Sequence, residues 1–501
     1  MPQPSPFASV KLDINAGTDR SPVKPASEAP FRILLLGDFS GRANRGAPAP
    51  PSRKPVMIDR DNFDQVMAHM GAELHLGRGQ QGPRMALRFQ ELEDFHPDRI
   101  YEKIELFQTL RETRRKLGHP STFAEAAATV KGWAGMPAPA PLAMPQQQPE
   151  QSAAPPDPAA LAGGNLLESV LDVTESRLSP PERRPDELQA FIERAVAPHL
   201  VPRQDPQLPE LVAQVDAAAG KLMRAILHHK DFQALEAAWR SVFFLVRGLE
   251  TDAHLNLYLL DISKAELAAD LKSSAGPRNS GMYRLLVEEA ADAPGAQPWA
   301  VMAGNFTFSR TEGDIEMLGR LAELMRAAGA PFLAEADPAG DADSSEAAQH
   351  WNSLRHSAAA FWLGLALPRF LLRLPYGRET EPAESFAFEE MPGTPDHQNY
   401  LWANPAFACA YLLGQAFSSD GWNLRPGVHE EIRGLPLHVY QAGGEKRLKP
   451  CAELLMTESD AEWILEQGLM PLVSLKNEDA VRLLRFQSIA EPLAPLSGRW
   501  S

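Results

Sequence analysis

The sequence predicts an α/β protein with mixed α+β layers, made of two units that a linker joins. Apolar runs typical of buried strands alternate with amphipathic stretches along most of the 501 residues. Segment 225–262 shows this most clearly, because a helix-period apolar stripe precedes a polar turn and a strand-like run. Segment 136–162 is nearly all Pro, Ala and Gln, a composition that cannot form a core.

Charge and cysteine content exclude several classes of protein. The net charge is −16 with no clustered basic stretch, which argues against nucleic acid and anionic membranes as partners. Two cysteines cannot form a disulfide framework, as expected in a reducing compartment. The N-terminus lacks the pattern of a secretory signal, and the longest apolar run, 358–367, is too short to span a bilayer. We therefore expect a cytoplasmic protein without membrane insertion.

The first third of the chain predicts a flexible arm followed by a compact unit. Residues 1–30 are rich in Pro, Ser and Ala, and their short alternating piece SVKLDI could pair as an edge or exchanged strand. Residues 31–135 form the first predicted unit. It contains, in order, the strand FRILLL, a turn, the strand PVMI, a helix opening at Asn62, the strands AELHL and MALRFQ, and one long helix from Pro97 to Leu117.

The linker leads into a short amphipathic helix. Residues 136–162 are predicted to be disordered, with a reach of roughly 30 Å or more. In the helix predicted for 165–178, one face carries four apolar residues: Leu166, Leu167, Val170 and Leu171. Composition alone leaves two interpretations open, since the helix could dock on its own domain or be recognised by a partner.

Residues 163–501 form the second predicted unit, whose core scaffold is segment 225–262. Its helix presents an apolar stripe in which Phe232, Trp239 and Phe243 are predicted to pack in the core. Glu236 and Arg240 fall on the opposite, polar side.

Further elements alternate towards the C-terminus. The pattern predicts, in order, a strand over 299–308 with a Gly-Asn break, a helix stopped by Gly329, the strand PFLAEA, a helix ending at Gly421, the strands LPLHVYQ and ELLM, the helix AEWILEQG, and the strand MPLVSL. No internal repeat of fixed period is present in the sequence.

Two motifs resemble catalytic or nucleotide-binding patterns and fail on inspection. The turn 37–41, GDFSG, lacks the lysine of a P-loop and the three glycines of a dinucleotide site, so a tight turn is the better interpretation. The zinc-protease pattern that begins at His429 has Arg433 in place of its second histidine.

The remaining candidate ligands and nucleophiles also favour structural roles. His228 and His229 point in different directions around a helix, which favours a solvated helix end over a metal site. Cys409 lies on an apolar helical face, where a buried thiol is the ordinary outcome. The sequence thus predicts no catalytic, metal or cofactor site and no enzyme.

Several long strings resemble a known family. FQALEAAWRSVFFLV, DISKAEL and LPRFLLRLPYG, within about 165–489, resemble the large subunit of the type VI secretion contractile sheath. FRILLLGDFSGR, PVMIDRDNFDQVM and LRFQELEDFHPDRI, within about 31–133, resemble the small sheath subunit. The chain is therefore similar to a small and a large sheath subunit fused through the linker.

The resemblance implies a structural and mechanical role without cofactors. In this family, small and large subunits form a heterodimer that polymerises on a baseplate into a sheath around an inner tube, and contraction delivers effectors. An AAA+ unfoldase then recognises a short N-terminal helix of the large subunit. The positions similar to that helix are the four apolar residues Leu166, Leu167, Val170 and Leu171.

Two departures from the family accompany the resemblance. The family string GDYEFS is GNFTFS at 304–309, and the match ends near Ile489. We therefore expect 163–501 to lack the usual C-terminal segment. This leaves an alternative to a principal sheath component, namely a sheath-related adaptor or regulator that binds sheath subunits or the unfoldase without forming a full sheath.

Overall fold

The structure is a computed structural model that describes residues 25, 28–50, 53–77, 84–134, 205–273, 276–292, 297–338 and 344–500. We call 28–134 the first segment and 205–500 the second segment. The strand-like piece SVKLDI, the linker 136–162 and the helix predicted for 165–178, with Leu166, Leu167, Val170 and Leu171, lie outside the described residues.

A nine-stranded mixed sheet forms the centre of the molecule and confirms the predicted α/β class. Its order is β11-β15-β14-β8-β7-β6-β1-β5-β2. Six neighbouring strands, from β14 to β5, are parallel, whereas β2, β15 and β11 are antiparallel to their neighbours. The strands are β1 Phe31–Gly37, β2 Val56–Ile58, β3 Ala72–Gly77, β4 Arg84–Phe89, β5 Leu255–Asp261, β6 Val301–Phe308, β7 Phe332–Ala336, β8 Leu363–Leu367, β9 Phe370–Leu371, β10 Trp402–Ala403, β11 Glu431–Ile432, β12 His438–Ala442, β13 Glu445–Lys449, β14 Met470–Ser474 and β15 Val481–Leu483.

Strand β1 of the first segment lies inside the sheet of the second segment. It pairs in parallel with β5, where Phe31 is opposite Leu255, and with β6, where Ile33 is opposite Val301. The sequence predicted a first unit with its own core. The two segments instead share a sheet, because the apolar run FRILLL needs cover on both faces and partners on both edges.

Helices cover both faces of the sheet and divide its core into two layers. Ile33 and Leu35 of β1 face one layer, while Leu34 and Leu36 face the other, as the two-residue period of a strand requires. The helices are α1 Arg42–Arg45, α2 Phe63–Met70, α3 Pro97–Lys103, α4 Gln108–Leu117, α5 Phe123–Ala134, α6 Leu208–Leu227, α7 Lys230–Gly248, α8 Lys264–Ser273, α9 Gly281–Tyr283, α10 Glu289–Asp292, α11 Glu312–Ala328, α12 Ser345–Arg355, α13 Pro405–Asp420 and α14 Glu458–Glu466, with a π turn at Arg284–Glu288. Among the described helices, none has the length and apolar character needed to cross a membrane.

Three short two-stranded sheets lie outside the main sheet: β3–β4, β9–β10 and β12–β13. The Gly-Asn break predicted in β6 is confirmed, because the register between β6 and β7 shifts between Ala303 and Thr307. The helix stop at Gly329 is also confirmed, since this residue adopts a left-handed conformation with φ 64°.

Two predicted elements differ from the structure. The helix predicted from Pro97 to Leu117 is interrupted at Ile104, whose backbone is extended, and a 3₁₀ turn follows before α4. Ile104 and Phe107 are both buried at this break, so core packing overrides the helical period. The string ELLM forms no strand, and its Leu455 is 77% exposed.

Candidate functional site: the junction between the segments

The contacts of Trp239 on α7 join the two segments. The buried indole Nε1 donates a 2.8 Å hydrogen bond to the backbone carbonyl of Phe39, which follows β1. The Trp239 ring also makes edge contacts with Phe39 at 5.7 Å and with Phe63 of α2 at 5.8 Å between centroids. Helix α7, predicted as the core scaffold of the second unit, is therefore also the packing surface for the first segment.

Two other aromatic residues of α7 extend the same junction. Phe232 is fully buried and makes edge contacts with Phe89 at 5.8 Å and Phe95 at 5.6 Å, both in the first segment. Phe243 is partly buried and contacts Phe63 at 5.4 Å. Aromatic pairs of this geometry add about 0.5–1.5 kcal/mol each beyond the burial of their area.

A charged contact at the carboxyl end of β1 also joins the segments. The tight turn predicted at 37–41 is followed by Arg42, which lies beside Asp261 and Glu266 of the second segment. Burial by itself would raise the pKa of Glu266, but hydrogen bonds from Arg42 and from the Ser263 N–H hold it below its usual value. Glu266 is therefore a carboxylate that accepts hydrogen bonds from the first segment.

A second charge cluster lies in the core against α7. Arg373 donates at 2.7 Å to Glu236 and at 2.7 Å to Glu390, while Arg240 donates at 2.7 Å to Glu236. Arg240 also donates at 2.8 Å to the hydroxyl of Tyr376. Two guanidinium groups and two carboxylates make this buried cluster neutral.

The cluster corrects the prediction that one side of α7 is simply polar. Glu236 is 0% exposed, because α7 is covered on this side by the chain around Arg373. Burial would raise the pKa of Glu390, yet the charge of Arg373 outweighs it and, with the Tyr376 N–H, lowers that pKa to about 2.

A third group of polar residues lies at the carboxyl ends of β6 and β7. The Glu335 carboxylate accepts hydrogen bonds from Thr307 at 2.9 Å and from the Asn404 amide at 3.2 Å, and Arg369 lies 3.7 Å away. Burial raises the pKa of Glu335 to about 7, because its partners compensate only part of the desolvation. Glu335 is therefore a buried carboxyl group that can titrate, and it lies next to the register shift between β6 and β7.

The described residues contain no group of three His, Cys, Asp or Glu side chains that could hold a metal ion. Cys409 and Cys451 are buried, and burial raises their thiol pKa values to about 12 and about 11. A thiol with so high a pKa is a poor nucleophile. A cleft lined by Trp351 and Trp463 has a volume of about 40 Å³, which is enough for a few water molecules.

The neighbouring histidines cap two helices. His229 is the N-cap of α7, where its Nδ1 accepts from the Asp231 N–H at 3.3 Å. His228 closes α6, and its Nε2 lies 3.5 Å from the Glu390 carboxylate. The solvated helix end predicted for the pair is wrong for His228, whose side chain is 17% exposed, because it packs towards the buried charge cluster.

The sequence shows the charged residues of the buried cluster, but no local pattern predicts which of them pair. Arg373 stands out in the apolar run FLLRLP, and an arginine there needs a buried acid. Glu236 and Glu390 lie 137 and 17 residues away, so no local pattern connects them to Arg373. The Phe39 carbonyl carries no side-chain signal at all.

Family comparisons match both segments. The VipB family model, a tail sheath N-terminal domain, matches residues 209–340 and 340–490, which is more than half of the chain. The type VI secretion system VipA family model matches residues 9–125.

A comparison with curated proteins finds a similar relative. It is the type VI secretion system sheath protein TssC1 of Pseudomonas aeruginosa, 34% identical over 307 residues. The match covers 57% of this chain and 62% of that protein, so the chain spans less than two thirds of the relative's length.

Proposed function

This chain belongs to the VipB tail-sheath family of type VI secretion, and we propose that it is a structural component of a contractile sheath that supplies small and large subunits in one chain. One observation carries the proposal. Strand β1, from the part matching VipA, is an interior strand between β5 and β6 of the part matching VipB. Each chain then brings one small-subunit part already paired with one large-subunit part to the assembly.

The fusion has a thermodynamic consequence. A linker between the two segments raises their effective concentration to about millimolar, so the pair forms without a diffusional encounter. It also fixes the ratio of the two parts at one to one. The junction around Trp239 and Arg42 supports a lasting pairing, because it contains a buried indole hydrogen bond and a partly buried salt bridge.

The proposed role is mechanical rather than enzymatic. Free energy for contraction comes from burial at contacts between chains, not from a chemical step. The proposed partners are other sheath subunits, an inner tube and a baseplate, and the proposed location is the cytoplasm. Buried, high-pKa thiols and a neutral charge cluster in the described residues agree with a protein built for packing.

Negative-stain electron microscopy of the purified chain tests the proposal. We expect tubules at high protein concentration. Monodisperse particles across the whole concentration range would contradict the sheath role. Binding of those particles to separately prepared sheath subunits would then support the alternative function, a sheath-related adaptor.

The helix predicted for 165–178 gives a second test of the family role. Its apolar face suits docking into the groove of an AAA+ unfoldase. Leu167→Asp and Leu171→Asp are expected to abolish binding to the unfoldase in a pull-down, while Glu168→Gln on the polar side leaves binding intact. Unchanged binding by both aspartate variants would remove this assignment.

A further inference from the structure

The hairpin β12–β13 has little packing of its own. Its strands pair only with each other among the described residues, and Gly443 and Gly444 join them with φ 63° and 83°. Val439 and Leu448 near its centre are 50% and 40% exposed. A two-stranded hairpin without further partners is only marginally stable in water. The contacts at the base of the hairpin therefore decide whether it stays ordered.

Two opposed residues form this base, and each is bonded to a side chain that lies before α13. His438 begins β12 and is opposite Lys449, which ends β13. The Nδ1 of His438 bonds to the Tyr400 hydroxyl at 2.7 Å. The Nζ of Lys449 donates to His397 Nδ1 at 2.7 Å. Lys449 also lies 5.3 Å from the ring centroid of Tyr400 and 5.2 Å from that of Trp402, within the range of cation–π contacts.

The bond between Lys449 and His397 requires a neutral imidazole. An ammonium group has donors only, so His397 Nδ1 must be unprotonated to accept from it. The other ring nitrogen, Nε2, lies 3.4 Å from a carboxylate oxygen of Glu453. A neutral ring with its proton on Nε2 satisfies both contacts. Protonation adds a proton at Nδ1, which removes the acceptor of Lys449 and sets two cations against each other.

The surroundings provide for both states of His397. Glu453 is a ready partner for the protonated ring. Burial lowers the pKa values of Lys449 and His438, so added positive charge is disfavoured at this end of the hairpin. The titratable and charged groups that face it are Lys449, His438 and Tyr440 on the hairpin, Glu453 after β13, Tyr400 and Glu390 before α13, Arg369 after β8, and Glu335 in β7.

We propose that the base of hairpin β12–β13 is an acid-sensitive latch, in which neutral His397 holds Lys449 and protonated His397 releases it and pairs with Glu453. Imidazole side chains ordinarily change charge between about pH 5 and 8. Because the contact with Lys449 exists only with the neutral ring, its contribution to hairpin stability is present at the upper end of this range and is lost as the pH falls. The latch is independent of the proposed function, since it uses contacts within one chain.

Hydrogen–deuterium exchange of the full chain at about pH 7.5 and about pH 5.5 tests the latch on both sides of the titration. Exchange times are scaled for the pH dependence of the chemical exchange rate. Peptides covering 438–449 report on the hairpin, and peptides covering β5 show whether the main sheet stays folded. We expect protection of the hairpin amides to fall about tenfold at the lower pH while β5 stays protected, because loss of a charge-assisted bond opens the hairpin locally. Equal hairpin protection at both pH values overturns the proposal.

His397→Gln separates this histidine from the other groups that titrate. Glutamine has an oxygen that can accept from Lys449 and an NH₂ that can donate to Glu453, but it carries no charge at either pH. We expect its hairpin to stay protected at both pH values. A fall as large as in the wild type overturns the role of His397, because another group, such as His438, then controls the hairpin.

Lys449→Met tests the other partner of the bond. Methionine keeps an unbranched chain against the rings of Tyr400 and Trp402 but has no donor. Hairpin protection should already be about tenfold lower at the higher pH and should not fall further. The matched control is Lys446→Met in the same strand, which removes an exposed ammonium and should keep the wild-type response to pH. Full hairpin protection in Lys449→Met at the higher pH, or the same loss in both variants, contradicts the latch.

Discussion

At the scale of single residues, buried charge sets the sharpest constraints. Arg373, Glu236 and Glu390 are each less than a tenth exposed, and Arg373 donates hydrogen bonds to both carboxylates. Burial of such groups is tolerated because they are paired, and removal of one partner leaves an isolated charge in the core. The sequence analysis did not identify this cluster, because Glu236 and Glu390 reach Arg373 through long-range folding.

Arg373→Met is therefore expected to destabilise the protein by about 3–5 kcal/mol, because Glu236 and Glu390 lose their shared cation. Urea denaturation measures the change. The matched control is Arg433→Met, whose side chain is 60% exposed and whose ion pairs are screened by solvent. If the urea midpoint falls by the same small amount in Arg373→Met and Arg433→Met, the cluster contributes no stability.

Glu335 makes stability depend on pH. Its pKa of about 7 in the folded protein exceeds the ordinary value of 4.5, so folding favours the protonated form. The contribution of protonated Glu335 to the free energy of unfolding is fully present below pH 4.5 and is lost as the pH rises through 7. Glu335→Gln should stabilise the protein at pH 8 by about 1–3 kcal/mol and change little at pH 4.5.

Thermal unfolding from pH 4.5 to 8 measures this effect. The control is Glu102→Gln, because Glu102 is 58% exposed and should not alter the pH profile. The account of Glu335 is wrong if its glutamine variant loses stability at pH 8, since that result would mean that the ionised carboxylate stabilises the fold.

At the scale of elements, helical periodicity predicted α7 and its apolar stripe. It did not predict that the stripe packs against residues of the first segment. Trp239 and Phe232 could be assigned to a core by spacing alone. Their contacts with Phe39 and Phe89 could not, because they bridge more than a hundred residues of sequence. The interruption at Ile104 was missed for the same reason, since packing rather than local pattern ends α3.

Trp239→Phe tests whether α7 joins the segments through its indole. The variant keeps an aromatic ring but leaves the buried carbonyl of Phe39 without its donor, which should cost about 1–3 kcal/mol. The matched variant is Trp463→Phe, whose side chain is 54% exposed. If the denaturation midpoint shifts by the same amount in Trp239→Phe and Trp463→Phe, the indole of Trp239 does not stabilise the junction.

At the scale of the whole molecule, composition and the linker suggested two units, whereas strand pairing unites them in one sheet. A run such as FRILLL predicts a buried strand from its residues alone. Its neighbours, β5 and β6, begin more than two hundred residues later, and no local signal specifies such a pairing. The boundaries predicted at residues 30, 135 and 162 stay predictions.

Cleavage between the two segments tests this shared sheet most directly. A specific protease site inserted within 136–162 lets the chain be cut after folding, and size-exclusion chromatography then follows the two fragments. We predict that they co-elute and unfold in a single transition, because removal of β1 would split the sheet between β5 and β6. Fragments that separate without denaturant, each retaining its own folded core, would contradict the account.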